Sequence, residues 1–180
     1  EMEYRLRRGD GEYRWVLDTG APRVSPDGTF LGYIGSCLDI TERKLTAEML
    51  RKERGFLRQV IDVDPNLIFA KDVEGRFTLV NQAVADAFGT TVENIIGKTD
   101  ADFNPNAAEV AHFRHRDEQV MQSQQELLIP EETLTTANGK VLWLQTVKRP
   151  LLDERGVATQ ILGSATDITE RKRMEETLTR

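Results

Sequence analysis

The letters DITERK occur twice in this 180-residue chain, at Asp39–Lys44 and at Asp167–Lys172. The copies stand 128 positions apart (167 − 39), and the offset holds upstream without a gap. It pairs Gly11 with Gly139, Trp15 with Trp143, Pro22 with Pro150, Gly28 with Gly156, Gly35 with Gly163 and Ser36 with Ser164. A period this long exceeds a solenoid unit and suits a whole domain. The second copy has ample chain before it and the first almost none, so the spacing predicts a chain that begins inside one domain and contains a second in full.

Local patterns agree with that division. Residues Glu3 to Asp39 read as three strands, turning at Gly9-Asp10-Gly11 and at Asp27-Gly28. From Thr41 to Val63 the apolar residues Leu45, Met49, Leu50, Phe56, Leu57, Val60 and Ile61 recur at helical spacing, with Gly55 a candidate hinge. Two short strands follow, then a helix capped by Asn81, loop and short-helix material, and one long helix. In that long helix Pro105 is expected in the first turn, and Val110, Phe113 and Val120 on one face. Three more strands and a final helix from about Thr169 complete a β-β-α-α-α-β-β-β order, an α+β fold.

Several function classes are disfavoured by composition. The net charge of −6 argues against a nucleic-acid partner. No apolar run reaches the roughly 18 residues of a membrane span, and the single cysteine, Cys37, permits no internal disulfide. The segment is read as cytoplasmic, without membrane insertion. No nucleophile elbow, phosphate-binding loop or paired-histidine zinc motif is present, so no catalytic residue is assigned. A metal site is not expected either, because His112 and His115 are the only histidines and no cysteine lies near them.

The repeated motif has its own local logic. Asp167 followed three residues later by Glu170 has capping-box spacing, as do Asp39 and Glu42. With Thr41 and Thr169 between them, these residues are expected to set the angle at which a strand hands over to a helix.

The stretches "FAKDVEGRFTLVNQAVADAFG", "IIGKTDADF", "ANGKVLWLQTVKRPLLDERG" and "ILGSATDITERK" resemble, in order and spacing, the PAS domain with its C-terminal PAC motif. The N-terminal "GEYRWVLDTGAPRVSPDGTFLGYIGSCLDITERK" resembles the second half of a preceding copy. The resemblance implies a five-stranded antiparallel sheet with helices on one face, flanked by amphipathic signalling helices. It divides the chain into a PAC half at 1–40, a linker helix at 41–63, a complete PAS domain at 64–168 and an output helix at 169–180. Strand parity carried over from the family puts Phe69, Lys71, Leu144, Thr146, Lys148, Ile161 and Ala165 on the pocket side, with Phe113 opposite and Trp143 outward. Lys71 and Lys148 would then either hold a small anionic ligand or pair with carboxylates of the domain.

Haem-binding members of the family take a histidine from this region, which makes His112 the residue to weigh against plain solvation of both histidines. The covalent flavin chemistry of the light-sensing branch lacks its cysteine in residues 82–104, whereas non-covalent flavin is compatible. No cofactor is required by the sequence. The implied role is a sensor that relays conformational change to a downstream output domain, a histidine kinase or a diguanylate cyclase. The alternatives are a ligand-free dimerisation module and a haem-based gas or redox sensor. A homodimer through linker helices and sheet is expected, from the spacing of Leu45, Met49 and Phe56 and from an N-terminal sheet lacking its helices.

Overall fold

Along Val141–Leu152 the side chains of Leu142, Leu144, Thr146 and Lys148 are buried while those between them are not, the two-residue period of a strand with one face on a core. This strand belongs to the larger of two units in the computed structural model, in which residues 1–178 are described. Thr179 and Arg180, the end of the expected output helix, lie outside the described residues.

The first unit, Glu1–Leu57, holds strands β1 (Met2–Arg7), β2 (Tyr13–Val24) and β3 (Phe30–Asp39), antiparallel in that order. Gly11 and Gly28 close the two hairpins at φ of 92° and 85°, values that an L side chain resists. Val16 and Ile40 are buried, but Leu6, Phe30, Tyr33 and Ile34 remain exposed. Helix α1 (Thr41–Val63) starts in this unit and is continuous through Gly55.

The second unit, Arg58–Arg180, contains β4 (Leu67–Asp72), β5 (Phe77–Val80), α2 (Gln82–Ala87), α3 (Val92–Ile95), a 3-10 turn at Asp100–Asp102 and α4 (Ala107–Ser123). Then come β6 (Leu127–Thr135), β7 (Val141–Leu152), β8 (Ala158–Asp167) and α5 (Thr169–Leu178). The five strands form an antiparallel sheet in the order β5-β4-β8-β7-β6, so the last strand in sequence is the central one. Pro130 falls on the edge strand β6, where the register slips between Ile129 and Glu132 and the missing N–H costs no central ladder bond.

Polar residues pin the helices to this sheet. Asn81, fully buried, caps α2 by accepting from Val84 N–H and also accepts from Ile68 N–H at 3.0 Å. Its amide donates to the carbonyls of Ile61, Asp64 and Asn66, tying the end of α1 and the start of β4 to one side chain. The long helix begins one turn later than expected: Asn106 caps it, and Pro105 precedes the cap. Its buried stripe is Glu109, Phe113, Asp117 and Val120, with Val110 only half-buried. Two of those four are carboxylates, which a search for apolar periodicity passes over.

Gly163 in β8 lies directly beneath Phe69, and a Cβ there would fall inside the van der Waals envelope of that ring. Gly163→Ala is therefore expected to destabilise the fold by about 1–3 kcal/mol in urea unfolding, the cost of an overpacked core. Adding Phe69→Leu should return most of that loss; an additive double variant would contradict the packing described.

Candidate functional site

Between the sheet and helices α2–α4 lies a cavity of about 40 Å³, walled by Leu67, Phe69, Phe77, Val84, Phe88, Phe113, Leu134, Leu144 and Ala165. With Asp100 in place, that is room for water-sized occupants. Four charged residues also reach the wall: Lys71, Lys148, Asp100 and Glu132. Lys71 and Lys148 are 2% and 1% exposed, and uncompensated charges at such depth would cost several kcal/mol each. Asp117 on α4 compensates both, accepting from Lys148 Nζ at 2.5 Å and from Lys71 Nζ at 3.1 Å. Asp100 on the 3-10 turn accepts from Lys71 Nζ at 2.5 Å. Aromatic faces complete the setting, with Lys71 Nζ 4.9 Å from the Phe77 centroid and Lys148 Nζ 5.8 Å from that of Phe113. Burial by itself would lower the Lys71 pKa, but the Asp100 and Asp117 carboxylates outweigh it and hold the ammonium above its ordinary value.

All eight residues expected in the pocket are buried or half-buried. The cavity brings together Phe69, Lys71, Phe113, Leu144, Lys148 and Ala165. Thr146 and Ile161 face inward but do not line it; Ile161 borders a separate groove with Asp72 and Asp117. His112 does not reach the cavity. It lies over a surface groove on the other side of Glu132, with Nε2 3.3 Å from that carboxylate, and His115 is exposed. Asp100, Asp117 and Glu132 went unassigned in the sequence, although Asp117 falls four residues after Phe113 on the buried face.

A second acid anchors α4. Glu109 accepts from Asn104 Nδ2, Thr133 Oγ1 and both the N–H and hydroxyl of Thr135, at 2.7–3.1 Å, joining the helix start to β6. Burial pushes its pKa up, and these donors more than reverse that, leaving it below the usual glutamate value.

The DITERK segments build the same joint in each unit. Asp167 accepts from Thr169 N–H at 2.8 Å, and Asp39 from Thr41 N–H at 2.9 Å. Each threonine hydroxyl accepts a strand amide, Trp143 N–H at 2.9 Å and Trp15 N–H at 2.8 Å. The intervening isoleucine N–H donates to the same tryptophan's carbonyl, at 2.8 Å in both units. Lys172 and Lys44 lie 5.1 Å over those indole rings and pair with Glu131 and Glu3, themselves 128 positions apart (131 − 3). The expected reciprocal capping box is corrected by this geometry. The aspartates bond two residues ahead rather than three, the helices start at the threonines, and Glu42 and Glu170 are exposed outside the joint. The carboxylate that a capping box would have turned to the N–H of Glu170 or Glu42 is taken by the threonine N–H instead.

Two outcomes follow for stability. Asp117→Asn should cost about 3–5 kcal/mol by denaturant unfolding, because two buried ammoniums lose their shared partner; a loss below about 1 kcal/mol would contradict the pairing. Glu109, with its pKa depressed by folding, contributes stability above the ordinary value of 4.5 that is lost as pH falls through its lower folded value. Glu109→Gln should therefore be less stable at neutral pH and show a flatter decline in stability below pH 4.5 than the parent chain.

Known proteins place this architecture. The profile described as PAS fold matches residues 61–173, and one described as PAS domain matches residues 1–42. The chain is 27% identical to the two-component sensor PprA of Pseudomonas aeruginosa over 180 residues, covering 99% of this chain and 19% of that protein. It is 31% identical to the methanogenesis regulatory histidine kinase FilI of Methanothrix harundinacea over 153 residues, 84% of this chain and 17% of that one. The crystallised PAS domain of Bordetella pertussis BvgS superposes with a TM-score of 0.55 at 28% identity, covering 71% of this chain and 95% of that one. The chain spans about a fifth of the length of the first of these relatives and less of the second. With its five-stranded antiparallel sheet, its helices over one face and its match across residues 61–173, the chain belongs to the PAS family.

Proposed function

We propose that the chain is a sensory segment of a multidomain signal-transduction protein. It comprises the PAC half of one PAS domain at residues 1–40, a linker helix at 41–63, a complete PAS domain at 64–168 and the start of an output helix at 169. The observation that carries this reading is the course of β8. Ala165 forms part of the cavity wall, and four residues later the same strand has become α5, held to β7 through Thr169 and Trp143. A change in what fills the cavity thus bears on the strand that enters the output helix, a two-state element that a ligand biases by its differential affinity.

The named relatives, a two-component sensor and a histidine kinase, favour a kinase over a diguanylate cyclase as the downstream domain. In this reading the segment is non-catalytic and cytoplasmic; among the described residues no helix is long and apolar enough to cross a membrane. Exposed Leu45, Met49 and Phe56 on α1 support pairing with a second copy through the linker helix. The small, phenylalanine-rich cavity also supports a second reading, a dimerisation module that works without a ligand.

The relay can be tested without knowing any ligand. Ala165→Val adds bulk to the cavity wall, whereas Ser164→Val adds it to the opposite, exposed face of β8. Hydrogen exchange at the amides of residues 172–176 should change in the first variant and stay as in the parent in the second. Unmoved α5 amides in Ala165→Val, with core amides responding, would refute the relay.

A further inference from the structure

The two carboxylates on Lys71 are not equivalent. Asp117 is shared with Lys148, is 4% exposed and stands on the 17-residue helix α4. Asp100 serves Lys71 alone, stands on a three-residue 3-10 turn and has a side chain 13% exposed. Removing Asp117 would take a partner from both ammoniums and leave Lys148 without a carboxylate, whereas Asp100 can rotate towards solvent while Lys71 keeps Asp117. The turn that carries it is held by Thr99 and Asp102 bonding to each other, by Phe103 stacked on Phe88 at 5.3 Å and by Asn104 N–H donating to the Asp100 carbonyl at 2.8 Å, bonds that leave the Asp100 carboxylate out.

Charge limits what could take the seat of Asp100. Lys71 and Lys148 against Asp117 and Asp100 sum to zero, and a monoanion exchanged for Asp100 keeps that balance. A dianion would add an uncompensated charge in the low-dielectric interior. The rest of the wall is apolar, and Glu132, the other acid in it, is turned towards His112. We infer that Asp100 is an internal stand-in for a ligand carboxylate: a small monocarboxylic acid with a compact apolar body binds Lys71 in its place, and the displaced 3-10 turn reports the exchange. This rests on the reading of the domain as a small-molecule sensor and names the ligand's chemistry. The exchange also supplies a moving part, because release of Asp100 loosens the turn that holds Phe103 against Phe88.

The test is an NMR titration of the chain with benzoate and 2-methylpropanoate, using benzamide and 2-methylpropanamide as neutral controls. Saturable binding of an acid but not its amide is expected, with the largest amide shifts at residues 99–104. Asp100→Asn, which removes the competing charge, should tighten acid binding at least tenfold, and Lys71→Met should abolish it. Acid affinity unchanged or weakened in Asp100→Asn, amides binding as well as acids, or no saturable binding to either parent or Asp100→Asn would each overturn the inference. If a variant does not fold, the location of shifts in the parent chain still decides. The hydrogen-exchange test of Ala165→Val needs no carboxylate, so failure here leaves the relay reading standing, and failure there is seen separately.

Discussion

Two ammonium groups lie inside the second unit because one carboxylate lies between them. Asp117 reaches Lys71 on β4 and Lys148 on β7, two strands separated in the sheet by β8. The constraint is geometric as well as energetic. Apolar side chains tolerate a helix shifting along a sheet, but a carboxylate displaced by one turn of α4 would leave Lys148 without a carboxylate and Lys71 with Asp100 alone, at a cost of several kcal/mol. Glu109, two turns earlier, fixes the helix to β6 in the same manner through four donors. The long helix is thus located on the sheet by two acids on its buried face, and Phe113 between them packs where they allow.

The fold was largely legible because its signals are local and redundant. The strands that end in DITERK announced themselves by alternation and by glycine turns, and the 128-residue offset supplied independent support. Asn81 was readable as a helix cap, but its role in joining α1, β4 and α2 was not, since those bonds depend on tertiary placement. The site was half legible. Strand parity brought Lys71 and Lys148 to the interior; their partners come from a helix and a 3-10 turn, whose facing residues depend on how each element docks. An acid on a helix is ordinarily a solvated residue, so nothing local distinguished Asp117 from its exposed neighbour Glu118. The capping-box expectation failed for a related reason: the spacing suited a helix start in isolation, but the neighbouring strand's N–H holds the threonine hydroxyl, and the threonine's own N–H takes the aspartate carboxylate.

Polar anchoring and apolar filling divide the work within this domain. The phenylalanines pack against one another in the core, with Phe77 edge-on to Phe69 and Phe88 and with Phe103 stacked on Phe88. Such a core holds together under many rearrangements. Asn81, Glu109 and Asp117 select one arrangement, since each joins several donors or acceptors from different elements at once. A domain built this way can keep its architecture while the contents of its cavity vary.

The joint between strand and helix makes that separation concrete. At the 128-residue offset the two units share Trp15 and Trp143, Ile40 and Ile168, Thr41 and Thr169, Lys44 and Lys172, and Glu3 and Glu131. The inward-facing positions of the second unit are matched far less: Lys148 corresponds to Gly20, Thr146 to Asp18 and Ala165 to Cys37. The indole and the cavity-lining side chains occupy opposite faces of the same strand, so a substitution that reshapes one need not touch the other. The outgoing helix is therefore a standard fitting, and sheets with unlike interiors can be coupled in series through it without redesigning the connection.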